Sequence, residues 1–204
     1  MASKFIELAV TEPVRQAQER YYGVSLSPGA NGGPDRLTAD EVAFIESRDS
    51  FYLSSVSDTG WPYVQHRGGA PGFLRVVGDG SLAFADYRGN RQLLTAGNVA
   101  TNDRVCLFLM DYPRRTRLKI LGRARVVDAR DDPGLVERVA APDVRGRVER
   151  VFVLEVMGYD WNCPKYITPR FTAAEVAEVV APLRQRIAAL EAELAAARSG
   201  NPQQ

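Results

Sequence analysis

The sequence predicts a mainly β chain with flanking helices (α+β), namely a six-stranded antiparallel barrel with N-terminal helices and a long C-terminal helix. Three observations support this fold class. The central part of the chain contains short apolar runs, which are typical of strands. In one of these runs, apolar and cationic residues alternate with the period of two that a strand has. Short turns containing glycine separate several of these runs and indicate hairpins. Strands and helices do not alternate, and no G-x-G-x-x-G follows a strand, so a doubly wound parallel sheet is not indicated.

The N-terminal segment, residues 1–37, is predicted to contain a helix followed by a loop. Thr11 precedes Pro13 at the start of a helical run that ends near Gly23. Residues 23–37 are rich in glycine and proline, which favours a surface loop.

The central segment, residues 38–171, is predicted to form the barrel. It begins with a helix, because Thr38 and Glu41 have the spacing of a capping box. The strand candidates are 51–56, 61–66, the hairpin at 73–86, 104–111, 117–128 and 148–159. Hairpin connections between most of these runs indicate an antiparallel barrel.

The C-terminal segment, residues 172–204, is predicted to be a helical extension. Thr172 and Glu175 form another capping box. Apolar residues then recur at spacings of four and three, which is a heptad pattern; they are Val176, Val180, Leu183, Ile187, Leu190 and Leu194. Pro182 should kink or restart the helix. The helix either packs on its own barrel or pairs with its mate in a homodimer; the narrow apolar seam favours the second alternative.

Composition excludes several classes of function. A net charge of +1 with 25% charged residues gives no global basic field that would point to nucleic acid or membrane binding. No apolar run approaches the roughly 20 residues that span a bilayer. Cys106 and Cys163 are the only cysteines, which favours a reducing cytoplasm over a disulfide framework. With a single histidine, His66, the chain is not expected to hold a structural metal.

Two glycine-containing stretches are candidates for ligand binding. In "VQHRGGAPGFLRV", residues 64–76, the glycines permit either a ligand lying against bare backbone or a β-bulge at a barrel corner. In "ADYRGNRQ", residues 85–92, Arg88 and Arg91 precede a predicted helix start. That arrangement indicates either a phosphate site or a solvated turn.

Two further stretches carry reactive or charged side chains. "RRTRLK", residues 114–119, is either a solvated strand entrance or a source of contacts to phosphate or a ring carbonyl. A nucleic-acid patch is the third alternative, but no interleaved aromatic residues support it. "DWNCPKYITPRF", residues 160–171, is a rigid mixed loop that suggests a cover over a ligand. Cys163 is not favoured as a nucleophile because no second histidine is available to activate it. His66 is interpreted as a ligand or core contact in preference to a general base.

Together these stretches resemble the pyridoxamine 5′-phosphate oxidase-like superfamily of FMN-binding split barrels, over residues 38–170. The likeness is closest to a bacterial branch of predicted flavin-nucleotide-binding proteins. It is carried by "FIESRDSFYLSSVSDTGWPYVQHRGGAPGFLRV" and by "CPKYI".

The resemblance implies a homodimer with FMN at the subunit interface. Residues implied to lie along the flavin ring are His66, Arg67, Gly68, Gly69, Gly72, Phe73 and Leu74. Residues implied at the phosphate are Ala85, Asp86, Asn90, Arg91 and Gln92, the last replacing the family's lysine. Arg117 aligns with a glutamine that contacts the flavin, and the other subunit is implied to contribute Trp161, Asn162, Cys163 and Lys165.

The implied function is a flavin-dependent oxidoreductase that passes hydride or electrons between NAD(P)H or a small-molecule substrate and FMN. The alternatives are a non-catalytic FMN-binding, storage or electron-transfer protein, and a deazaflavin or haem binder on the same fold. The C-terminal Arg and His residues with which the oxidases grip the vitamin phosphate are replaced by the heptad helix, so pyridoxamine phosphate oxidation itself is not expected. No catalytic residue is assigned.

Overall fold

The structure is a computed structural model that describes residues 3–27, 32–89, 91–161 and 164–199. The chain forms two compact units. One comprises Met1–Asp111 with Thr116–Lys165, and the other comprises Tyr112–Arg115 with Tyr166–Gln204. The segment boundaries expected at 37/38 and 171/172 stay predictions.

The described residues form helices and strands, which are numbered here in the order of the chain. The helices are α1 Ser3–Ala9, α2 Glu12–Tyr22, α3 Ala39–Glu46, α4 Leu94–Thr101, α5 Pro133–Val139 and α6 Ala173–Ser199, with a 3₁₀ turn at Arg145–Arg147. The strands are β1 Ser50–Val56, β2 Pro62–Gly68, β3 Arg75–Gly78, β4 Ser81–Tyr87, β5 Arg104–Asp111, β6 Thr116–Asp128 and β7 Val148–Trp161. The predicted capping box at Thr38 and Glu41 is present at the start of α3.

The strands form one antiparallel sheet in the order β2-β1-β5-β6-β7-β4-β3. The predicted antiparallel architecture is confirmed, but the count of six strands is wrong because the sheet has seven. The hairpin at 73–86 contributes two separate strands, since the short β3 pairs with β4 at one edge.

The sheet curls around a single main core. Phe51 on β1 and Phe84 on β4 are four ladder steps apart in the strand order, which would be about 19 Å in a flat sheet. Their ring centroids nevertheless lie 5.3 Å apart. The core therefore takes inward residues from both halves of the sheet, including Leu53, Leu107 and Phe152.

An N-terminal helix that the sequence analysis missed lies against β7. The Asp35 carboxylate accepts hydrogen bonds from the backbone N–H groups of Lys4 and Phe5 at 3.2 Å each, and from that of Tyr159 at 3.4 Å. These contacts join the start of α1 to the end of β7. The close approach requires Gly158, where an added Cβ would lie 2.6 Å from the Phe5 nitrogen.

Replacing Gly158 with alanine should lower the free energy of unfolding by about 1–3 kcal/mol, because α1 must move to make room. Urea denaturation measures the change. Gly78→Ala on β3 is the matched control, since nothing lies within 4 Å of a Cβ added there. Equal losses for the two variants would contradict this packing of α1.

The C-terminal helix α6 is continuous through Pro182, so the predicted restart of the helix is not seen. Its capping box is present, with Thr172 Oγ1 accepting from the Glu175 N–H at 3.2 Å. None of the helices in the described parts of the chain is long and apolar enough to cross a membrane.

Candidate functional site

The edge strand β2 presents different residues on its two faces. Tyr63, Gln65 and Arg67 are half-buried, whereas Val64 and His66 are exposed. Because successive strand residues point to opposite faces, Arg67 and His66 lie on opposite sides of the sheet. The His66 ring meets Tyr52 of β1 edge-on, with centroids 5.6 Å apart.

The Arg67 side chain is held from two directions. Its Nη1 donates to Asp86 Oδ1 at 2.7 Å. Its guanidinium carbon lies 5.5 Å from the Phe84 ring centroid and 5.2 Å from that of Phe152, which are cation–π distances. The two rings are stacked with centroids 5.0 Å apart. Its Nε is buried and has no hydrogen-bond partner among the described residues. Arg67 is therefore fixed in position with one donor still to be satisfied.

Asp86 bridges two arginines. Its second oxygen accepts from Arg150 Nε on β7 at 2.9 Å. Arg150 also donates to Glu149 at 2.7 Å, and Arg88 approaches Glu149 at 3.3 Å. The network holds three cations and two anions, so it carries one positive charge in excess. Such an excess favours an anionic ligand nearby.

A small cleft opens beside this network, between β2, β4 and the start of α4. Its lining residues are Tyr63, Gln65, Arg67, Asp86, Gln92, Leu93, Leu94, Thr95, Ala96 and Phe152. Helix α4 follows Leu93, which has a left-handed φ of 53° and whose own side chain makes no capping hydrogen bond. The first N–H groups of a helix carry partial positive charge and suit an anion. Thr95 Oγ1 donates to Gln65 Oε1 at 2.8 Å and ties α4 to β2.

The glycine turn after β2 has a structural explanation within this chain. The Gly69 N–H donates to the Asp49 carbonyl at 2.8 Å, and the Gly72 N–H donates to the Arg48 carbonyl at 3.2 Å. Gly72 has a φ of +79°, which favours glycine. A Cβ on Gly69 would lie 2.7 Å from Phe73, so the aromatic ring occupies that space. These two amides are therefore engaged inside the chain; the predicted flavin contact along 66–74 stays a prediction.

The other residues implied at the ring and phosphate are divided between core and surface. Leu74 is fully buried in the main core, and Ala85 is buried in a second cluster that includes α5. Arg91 is exposed, whereas Gln92 lines the cleft. Asn90, Asn162 and Cys163 lie outside the described residues.

Arg117 lies on the outward face of β6, whereas Arg67 lies on the inward side of β2. Its Nη2 is 3.6 Å from the Asp160 carboxylate, and Lys119 Nζ is 3.1 Å from the same group. The guanidinium also lies over the Phe108 ring at 5.5 Å. The structure therefore does not bring Arg117 into the cleft that contains Arg67.

Trp161 is engaged by helix α3 of its own chain. Its indole N–H donates to Glu41 Oε1 at 2.7 Å, and its ring meets Phe44 edge-on. Burial of Glu41 raises its pKa, but hydrogen bonds from Thr38 and Trp161 outweigh that effect, so the pKa lies below the usual range. Lys165 is exposed.

Sequence reasoning missed the residues that hold Arg67 in place. Arg150 and Phe152 belong to β7, and their roles follow from the β4–β7 register, which pairs Asp86 with Arg150 and Phe84 with Phe152. A local sequence pattern does not specify which residues of these two strands pair. The opposite orientations of Arg67 and His66, by contrast, follow from the strand period alone.

Comparisons with known proteins identify the family. The model of the family described as pyridoxamine 5′-phosphate oxidase matches residues 37–153. No curated protein matches the chain.

Among solved structures, HupZ from Group A Streptococcus is 14% identical, covering 60% of this chain and 92% of its own, with a TM-score of 0.48. A candidate pyridoxamine 5′-phosphate oxidase from Lactobacillus delbrueckii is 21% identical to this chain. The match covers 61% of this chain and 93% of that protein, with a TM-score of 0.48. HutZ, the haem storage protein from Vibrio cholerae, is 16% identical to this chain. The match covers 60% of this chain and 90% of HutZ, with a TM-score of 0.40. Because the family model spans more than half of the sequence, the chain belongs to the pyridoxamine 5′-phosphate oxidase-like split-barrel family.

Proposed function

We propose that this protein binds FMN and acts as a flavin-dependent oxidoreductase, with the FMN phosphate in the cleft between β2 and α4. The observation that carries the proposal is the placement of Arg67. Its guanidinium lines the same cleft as the start of α4, and its buried Nε has no partner among the described residues.

The chemistry of the cleft fits a phosphate group. A phosphate needs several donors and favours positive charge. Arg67 offers a charged donor, α4 offers the N–H groups of its first turn, and Gln92 lines the same cleft. The one excess positive charge of the ionic network around Asp86 also attracts the phosphate. Because Asp86 and the two phenylalanine rings already hold Arg67, little side-chain freedom is lost on binding.

The outward face of the sheet supports a homodimer. One cross-strand row runs His66–Tyr52–Phe108–Lys119–Asp160 across five strands. Tyr52 remains 39% exposed, so part of an aromatic surface is open. We propose that a second subunit covers this face and completes the ring site near His66, with Arg117 or Lys165 compensating charge.

When bound, FMN supplies the hydride or electron transfer. The residues of this chain bind the phosphate and orient the cofactor. In the described part of the chain, the cleft lining includes no histidine or cysteine. That observation favours a second candidate function, an FMN-binding protein that stores the cofactor or transfers electrons without turnover.

Titration with FMN, followed by flavin fluorescence, tests the binding site. Arg67→Met should weaken binding about 10- to 100-fold, because a charge-assisted contact contributes about 1.5–3 kcal/mol. Arg88→Met is the matched control: Arg88 belongs to the same ionic network, but its side chain is 82% exposed and does not line the cleft. Thermal unfolding of both variants checks that the fold is retained. Equal affinity for Arg67→Met and wild type would contradict the phosphate assignment.

Anaerobic mixing of the FMN-loaded protein with NADH or NADPH separates the two candidates. Loss of the oxidised flavin absorbance at a catalytic rate supports the oxidoreductase, and an unchanged spectrum supports the non-catalytic protein. Saturable binding of haem or a deazaflavin in place of FMN would overturn both.

A further inference from the structure

Helix α6 carries an apolar seam whose side chains are largely exposed. Seam positions fall into two heptad sets; the a set is Val180, Ile187 and Leu194, and the d set is Val176, Leu183, Leu190 and Ala197. Five of these side chains are between 45% and 59% exposed, namely Val176, Leu183, Ile187, Leu190 and Leu194. Pro182 falls at a c position, outside the seam, so its ring does not interrupt the apolar stripe.

We propose that α6 pairs with the same helix of a second copy as a parallel, two-stranded coiled coil. The residue types at the seam favour this occupant. β-Branched residues at a combined with leucine at d favour parallel dimers over larger assemblies. Here Val180 and Ile187 are at a, with Leu183 and Leu190 at d. The seam spans three heptads of an unbroken helix.

The charges beside the seam are complementary between two copies. In a parallel pair, each g residue faces the next e residue of the other helix. Arg186 at g would face Glu191 at e, and Glu193 at g would face Arg198 at e. The two residues of each pair have opposite charges, and the two-fold symmetry produces two copies of each pair. Within one helix Arg186 Nη1 lies 3.8 Å from Glu193 Oε1, which is a long contact for an ion pair.

Cysteine cross-linking in the full chain tests the pairing and its direction. Ala197→Cys places a thiol at d, so mild oxidation should link two copies of a parallel pair. In an antiparallel pair with full overlap these two residues would be about 30 Å apart and could not link. Ala192→Cys, at the outer f position, is the matched control and should link no more than wild type does through its native cysteines. Equal linking of the two variants, or no linking by Ala197→Cys, would overturn the proposal.

Charge reversal in the Ala197→Cys background provides a second measurement. Glu191→Arg should weaken pairing roughly 3- to 30-fold, because two symmetry-related contacts become repulsive. Adding Arg186→Glu should restore it, since the exchanged charges at positions 186 and 191 then attract each other across the parallel pair. In an antiparallel pair the g and e positions do not face each other, so the second change would not restore pairing. Failure of the second change to restore linking would reject the parallel pair. Cross-linking should be unaffected by Arg67→Met, so it is independent of FMN binding.

Discussion

Replacing Phe84 with alanine is expected to lower the free energy of unfolding by about 3–5 kcal/mol. Phe84 is 1% exposed and links two halves of the sheet, because its ring contacts Phe51 on β1 and Phe152 on β7. Each aromatic pair adds about 0.5–1.5 kcal/mol beyond simple burial. The same truncation removes one of the two rings beneath Arg67. Urea denaturation followed by far-UV circular dichroism measures the loss.

Phe171→Ala is the matched control for this prediction. It removes the same atoms from a side chain that is 63% exposed, and surface substitutions of this kind usually change stability by less than about 0.5 kcal/mol. A loss below about 1 kcal/mol for Phe84→Ala would be incompatible with a curled sheet in which β1 and β4 share a core.

The second large effect is expected for Asp86→Ala, which should lower the free energy of unfolding by about 2–4 kcal/mol. Removing one partner of a fully buried ion pair costs somewhat more, roughly 3–5 kcal/mol. Here Arg67 and Arg150 retain 15% and 20% exposure, so water reduces the cost. The variant leaves two cations facing each other with no anion between them. Asp86→Asn, which keeps the shape of the side chain, should lose less. Urea denaturation measures both losses.

Asp128→Ala is the comparison variant, because it removes an ion pair with the same nitrogen–oxygen distance. The Asp128–Arg130 pair has the same 2.7 Å separation as the Asp86–Arg67 pair, but the Arg130 side chain is 88% exposed. Solvent screens that pair, so its removal should leave the denaturation midpoint almost unchanged. If the two aspartate variants were equally stable, Asp86 would not hold Arg67 through a desolvated contact.

Local patterns predicted the elements of this fold well. Residues 117–128 alternate apolar and cationic side chains, and they form β6 with the apolar face inward. The heptad seam and the Thr172 capping box predicted α6. The first helix, Ser3–Ala9, was missed because seven residues with no acidic residue in the first turn and no basic residue in the last carry little local signal. Its position depends on Asp35 and Gly158, which are distant in sequence.

The candidate site was predicted less completely, because its geometry depends on strand pairing. Arg67 and Asp86 were both implied at the flavin, but not as partners of each other. Their contact requires the sheet to curl until β2 approaches β4. The glycines at 68–72 were interpreted as a wall for a ligand, whereas at least two of them satisfy the close packing of Phe73 and a turn with positive φ. Such local packing is invisible to a motif.

The strand order has a consequence for the way this chain reaches its native state. Within the described residues, β7 alone joins the β3–β4 hairpin to the four strands β2, β1, β5 and β6. It is also the last of the seven strands to be synthesised, and its pairing with β4 connects residues as far apart as Ser81 and Glu155. Until β7 leaves the ribosome, the hairpin has no ladder to the rest of the sheet, and the Asp86 side chain has no Arg150. Folding of the cleft therefore has to wait for β7, and such long-range closure makes it slow.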